Sequence, residues 1–169
     1  CGRWSAPERF RSVNYTSSSR ILRMEYVEYV YTEGMTEEEI DRLLRERGHG
    51  VLALADADDS YAVPLNYHYD GSQLLLRVSD EPDSDKVAFA ESTENATFLV
   101  YDADEERPWS IMVQGAIRRL PEEDQQSFTD RDVNELFPPF RLFDEDVGTV
   151  EMVIYELEPV EITGRRSIE

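Results

Sequence analysis

Lysine is almost absent from this chain: Lys86 is the only one among 169 residues, and every other basic side chain is an arginine. Cysteine occurs once, at Cys1, and histidine twice, at His49 and His68. A single thiol excludes an intrachain disulfide and leaves no thiolate set for structural zinc, and two histidines argue against a histidine-rich metal site. Long apolar runs are missing as well. Nothing approaches the roughly 20 apolar residues of a membrane-spanning helix, and no short apolar core has the form of a secretory signal. The expectation is a soluble, cytoplasmic protein. Its length suits one domain with a single core.

Positive charge is scarce overall. The formal net charge is -20, which argues against nucleic acid, because surfaces that track phosphates need clustered Lys and Arg. Disorder is not implied, since the aliphatic and aromatic residues are ordinary in number and patterned. An acidic, nearly lysine-free balance fits a protein that folds in high salt, where screening shortens the Debye length from about 10 Å at 0.1 M to about 3 Å at 1 M. A hyperthermophile's charge signature would be rich in Lys as well as Glu.

What is present falls into two parts. Residues 1 to 23 carry five arginines against the single Glu8 and show no hydrophobic periodicity, so they read as an unstructured leader. A transit-like peptide has similar composition; an upstream extension before a natural start at Met24 is the preferred reading. Residues 24 to 169 read as one domain. Thr36 and Glu39 form a capping box, Ile40, Leu43 and Leu44 share a face, and Gly48 supplies a stop, which predicts a helix over 36 to 47. Strand character follows at 50 to 56, 60 to 69, 73 to 79, 95 to 103, 108 to 120 and 148 to 162. Tight turns at "ADDS" and "DGS" separate the first three. Helices are predicted at 84 to 92 and, behind Pro121 and three acids, at 121 to 136 before the "FPPF" stop; the latter is expected outside the barrel. Six strands at hairpin spacing with few helices predict a mainly β, antiparallel barrel.

Lys86 falls in the first turn of the 84 to 92 helix, where the macrodipole is positive and a cation is unfavourable by about 0.3 to 1 kcal/mol. A bound anion would make the position sensible. Period-2 alternation puts Arg77 and Ser79 on one face of their strand and Leu74, Leu76 and Val78 on the other. Arg77, Ser79 and Lys86 then form a plausible donor set for a phosphate monoester. The residues alone leave a second reading open, in which both cations pair with neighbouring carboxylates on a solvated face.

Two other strands carry candidates. In "SYAVPLNYHYDG", Tyr61, Val63, Leu65, Tyr67 and Tyr69 share one face, and Ala62, Pro64, Asn66 and His68 the other. Pro64 marks an edge or bulge, and Asn66 offers an amide for a heterocycle's polar edge. An ordinary edge strand with an aromatic core is the competing reading. His68 beside its turn reads as exposed, and His49 reads as a loop residue that is no assured general base. In "PWSIMVQGAI", Ser110, Met112 and Gln114 line one face and Trp109, Ile111 and Val113 the other; Gly115 permits a close approach or a bulge.

At these residues the chain resembles pyridoxamine 5'-phosphate oxidase-related, FMN-binding split-barrel proteins, closest to the nitroimidazole-resistance-like branch and similar to its acidic haloarchaeal members. The resemblance covers residues 36 to about 165. It rests on the succession of a leading helix, "GVLALAD", "YAVPLNYHYDG", "LLLRVSDEPDSDK", "ATFLVYD", "WSIMVQG" and "ITGR". It implies a six-stranded split barrel and a homodimer with FMN at the interface. Pro64, Leu65, Asn66 and Tyr67 would line the isoalloxazine, and Arg77, Ser79 and Lys86 would meet the phosphate. Trp109, Ser110 and Gln114 match the strand that approaches flavin from the second subunit, and Arg165 matches the terminal Gly-Arg. The acid-rich "DEPDSD" before Lys86 departs from the His-Ser-Ala-like segment of related sequences.

The reading that follows is an FMN-dependent oxidoreductase of unidentified substrate in which no side chain is an obvious proton donor; Tyr67 and His49 are candidates only, and the catalytic residues stay open. Vitamin B6 oxidation does not carry over, because no second basic cluster exists for a phosphorylated pyridoxine. Alternatives are a flavin-binding or storage module without turnover, and a protein using the deazaflavin F420, whose longer acidic tail would want more than Arg77, Lys86, Arg118 and Arg119. A heme-handling relative ranks below these, with no histidine placed as an axial ligand.

Overall fold

Thr36 starts the first helix as its sequence demands. The backbone N–H of Thr36 donates to Glu39 Oε2 at 2.9 Å and the N–H of Glu39 donates to Thr36 Oγ1 at 3.3 Å. The bond from the Thr36 N–H, with a second from Thr36 Oγ1 to the same oxygen at 3.2 Å, holds the Glu39 carboxyl below its ordinary range. The computed structural model describes residues 31–80, 84–103, 106–128 and 152–168, together with Asp132, Glu135, Leu136 and Phe137. The predicted leader lies outside these residues.

The elements in chain order are β1 (Thr32–Gly34), α1 (Glu37–Glu46), β2 (His49–Asp56), β3 (Asp59–Tyr69), β4 (Leu74–Ser79), α2 (Asp85–Ser92), β5 (Asn95–Asp102), β6 (Trp109–Arg119), α3 (Glu122–Gln125) and β7 (Met152–Ser167). All strand pairings are antiparallel, in the order β7-β4-β3-β2-β5-β6, and β6 pairs back onto β7 to close a ring of six. Closure removes the exposed edges that a flat sheet would leave. Inward-facing residues from every strand, among them Leu52, Tyr67, Leu76, Phe98, Ile111 and Leu157, fill the interior.

The ring is split between β3 and β4. Their register runs only from Asn66↔Arg77 to Tyr69↔Leu74. Beyond it the first half of β3 pairs with β2 alone, while Val78 and Ser79 go on with β7. Pro64 sits on that unpaired edge, where its missing N–H costs no ladder bond. α2 lies at the split and touches β2, β3, β4 and β6, with Phe89 stacked on Tyr61 at 5.3 Å. α1 closes another part of the barrel by burying Ile40, Leu43 and Leu44.

Several expectations need correction. Gly48 does not stop α1: Arg47 itself turns extended, at φ -92° and ψ 151°, held by Asp102 at 2.6 Å and by Trp109, whose ring centre lies 5.2 Å from its guanidinium. His49 is the first residue of β2, paired with Asn66, rather than a loop residue. The final strand runs on to Ser167, paired with β6 as far as Trp109↔Arg166; Gly164 leaves room there for α1, since a Cβ would lie 2.8 Å from Ile40. This extension templates β1, which short length hid from any periodicity. Between Gln114 and Gly115 the expected bulge is present.

The predicted 121 to 136 helix is interrupted: helical backbone is present at Glu122–Gln125 and again at Asp132, Glu135 and Leu136. α3 ends at Gln125, followed by turns through Ser127. Gln125 is committed elsewhere: its Nε2 donates to Leu120 O at 2.6 Å and its Oε1 accepts from Ile154 N at 3.2 Å. The side-chain amide thereby completes the β6–β7 ladder one step past its end. Outside the barrel, as expected for this segment, Phe137 is buried with Leu75 and Ile154, and Leu120, Phe128 and Leu136 pack around them.

Candidate functional site

β4 divides its side chains as its alternation predicts. Leu74, Leu76 and Val78 enter the core; Arg77 and Ser79 stand on the outer face. α2 begins at Ser84 and places Lys86 in its first turn, where Nζ donates to Ser79 Oγ at 2.6 Å. That hydroxyl is the one partner Lys86 has among the described residues. Of the nearby acids, Asp80 is paired with Arg119 instead, at 2.9 Å.

Two further donors beside this contact are left over. Arg77 Nε and Ser84 Oγ are buried without hydrogen-bond partners among the described residues. Burial lowers the pKa of Arg77, yet a guanidinium stays charged throughout the accessible range. An orphaned buried donor is costly, and native structures rarely tolerate one without a ligand, water or ion to satisfy it. A guanidinium, an ammonium, two hydroxyls and the first N–H groups of α2 are the chemistry of an anion cradle. The residues therefore fit a phosphate.

The other candidates divide into two groups. Asn66 is in register with Arg77 on one side and His49 on the other, so a row His49, Asn66, Arg77 crosses the outer face beside Pro64. Sequence reasoning did not place His49 in that row; period-2 alternation carried back through Gly50 is the signal that could have. Leu65 and Tyr67 point the opposite way, into the core. Tyr67 OH donates to Leu44 O at 2.9 Å, and burial raises its pKa far above the ordinary value. Any part these two play at the outer face is a main-chain one, and Tyr67 is withdrawn as a proton donor.

Ser110, Gln114 and Arg165 lie across the barrel wall on β6 and β7. Gln114 Nε2 donates to Thr97 Oγ1 at 3.3 Å, and Arg165, register partner of Ser110, donates from Nε to Thr32 Oγ1 at 2.9 Å. Trp109 parts from them: it packs against the core under Arg47 and lines a cavity of about 660 Å³ with Glu33, Glu39, Asp102 and Arg166. Two strands, β2 and β5, separate Asn66 from Ser110, a span on the order of 14 Å at ordinary strand spacing. One chain does not bring the two groups together. Among the described residues there is no cluster of His, Cys, Asp and Glu able to hold a metal, and no helix is long and apolar enough to cross a membrane.

A six-stranded antiparallel ring, opened between β3 and β4 beside a cluster of unpartnered donors, is a split barrel. The family model described as pyridoxamine 5'-phosphate oxidase matches residues 36–166, and the chain belongs to that family. No curated protein matches it. Among solved structures it is similar to a FAD-binding protein from Mesorhizobium loti, at 17% identity and a TM-score of 0.63 over 81% of this chain and 99% of that one. It is also similar to the FAD binding protein from Mycobacterium smegmatis, at 23% identity and 0.61 over 80% and 100%. A protein from Bacteroides thetaiotaomicron described as a 5-nitroimidazole antibiotic resistance protein aligns at 14% identity and 0.58 over 82% and 91%.

Proposed function

We propose that this protein binds FMN and acts as a flavin-dependent oxidoreductase, with the phosphate held by Arg77, Ser79 and Lys86. The observation that carries the reading is the orphaned donor set at the split of a barrel belonging to this family. A flavin would supply the redox chemistry, and the chain would bind and orient it. Pro64 and Asn66 would border the ring system, with Leu65 and Tyr67 contributing only backbone. His49, exposed beside Asn66, is the remaining candidate for moving a proton.

Ser110, Gln114 and Arg165 join this site only if they come from a second copy of the chain. Support for a homodimer comes from the outer face of β5 and β6, where Tyr101 and Met112 are large, apolar and exposed. FAD, bound by two of the similar proteins according to their descriptions, and F420 offer the same phosphate chemistry with longer tails. FMN is favoured because the described cations of the cradle are few. A cytoplasmic location and a need for salt belong to the same reading; the charge of -20 supports the latter.

The test is to purify the protein in molar KCl, record its visible spectrum and identify any released chromophore. Bound FMN is expected, and Lys86→Ala should weaken it about 10- to 100-fold, the range for a hydrogen bond to a charged group. A colourless protein that also refuses added FMN would overturn the assignment. Bound flavin that neither NADH nor NADPH reduces, and that no acceptor reoxidises, would leave a binding module rather than an enzyme.

A further inference from the structure

Carboxylates crowd the cradle, and free carboxylates repel phosphate. Asp80 directly follows Ser79, so their Cα atoms are about 3.8 Å apart. Glu91 stands on α2 beyond Lys86. Both are reached by one side chain: Arg119, the last residue of β6, donates from its second terminal nitrogen to Asp80 Oδ2 at 2.9 Å, and its other terminal nitrogen lies 3.6 Å from Glu91 Oε1. Its neighbour Arg118 is taken up by Glu156 at 2.7 Å. Arg119 thus ties the ends of β6 and β4 to α2 at the rim of the donor cluster.

We propose that Arg119 is a positioning residue for phosphate binding: by pairing with Asp80 and Glu91 it keeps these carboxylates from opposing an anion at Arg77, Ser79 and Lys86. The inference rests on the reading of those three residues as the phosphate site. Arg119 does not need to touch the ligand. Its effect is electrostatic, so it falls on phosphorylated ligands and spares unphosphorylated ones. A released Asp80 charge within several ångströms of a phosphate dianion weakens binding by about tenfold in a largely aqueous dielectric. Screening at molar salt removes most of that difference.

The experiment compares FMN with riboflavin by fluorescence titration, at the lowest KCl concentration at which circular dichroism shows each variant folded. Wild type should prefer FMN. Arg119→Met should lose about tenfold in FMN affinity and nothing for riboflavin, while Arg119→Lys stays near wild type. Adding Asp80→Asn to Arg119→Met should recover most of the loss, and molar KCl should shrink it. Unchanged FMN affinity in Arg119→Met, or an equal loss for both ligands with no recovery in the double variant, overturns the inference. Should Arg119→Met not fold, Asp80→Asn alone decides: freeing Arg119 beside the cradle should tighten FMN severalfold, and no change is the overturning result. Wild type that does not distinguish FMN from riboflavin would instead defeat the phosphate site itself.

Discussion

α1 and α2 both start at a hydroxyl residue and both cover the barrel, yet they are finished differently. At α1 the cap residue Thr36 exchanges bonds with Glu39, Arg42 and Arg45 pair with Glu46 and Asp41, and Tyr67 reaches out of the core to Leu44 O. At α2 the cap residue Ser84 makes no cap bond, its hydroxyl and Arg77 Nε are buried without described partners, and Lys86 bonds a neutral hydroxyl. α1 buries three large aliphatic side chains and α2 buries only Ala90. One helix satisfies itself; the other holds donors in reserve, which is what a ligand site requires of a fold.

The largest break in this contrast should come from Leu44→Ala. Leu44 is fully buried, and truncating it should cost about 2–5 kcal/mol in urea denaturation. Alkali comes next and acts at the main chain of the same residue, where Leu44 O accepts from the Tyr67 hydroxyl. Burial raises the folded pKa of Tyr67 above its unfolded value of about 10. Its contribution is therefore complete below about pH 10 and is lost as pH rises toward the folded value. The denaturation midpoint should fall over that window, less steeply in Tyr67→Phe. Thr36→Ala should then cost about 1 kcal/mol for the lost cap. The last effect has the opposite sign and belongs to the other helix: Ser84→Ala should cost no stability without ligand and should gain up to about 1 kcal/mol, since the hydroxyl caps nothing and is buried without a described partner. A full cap penalty at Ser84 would erase the distinction between the two helices.

The local half of this picture is legible in the amino-acid sequence. Alternation along β3, β4 and β6 assigns the inner and outer faces correctly, because a buried face leaves a period-2 imprint whatever the partner strands are. The capping box of α1 is a contact across three residues and is written in the chain. Reading fails where a distant element decides. β1 exists because the end of β7 offers an edge; α3 is short because Gln125 serves the β6–β7 ladder; Arg47 ends α1 through Asp102 and Trp109.

The candidate site divides in the same way. Sequence by itself determined the strands at hairpin spacing, the outer placement of Arg77 and Ser79, and the start of α2 that carries Lys86 in its first turn, since each depends on neighbours within a few residues. Only the tertiary structure decided that Lys86 meets Ser79 rather than a carboxylate, that Arg119 holds Asp80, that Tyr67 turns its hydroxyl to α1, and that Ser110 and Gln114 stand too far from Asn66 to share one chain's site. Those outcomes turn on which strands become neighbours when the ring closes. Closure is a property of pairing between residues far apart in sequence, and it leaves no periodic trace in any one segment.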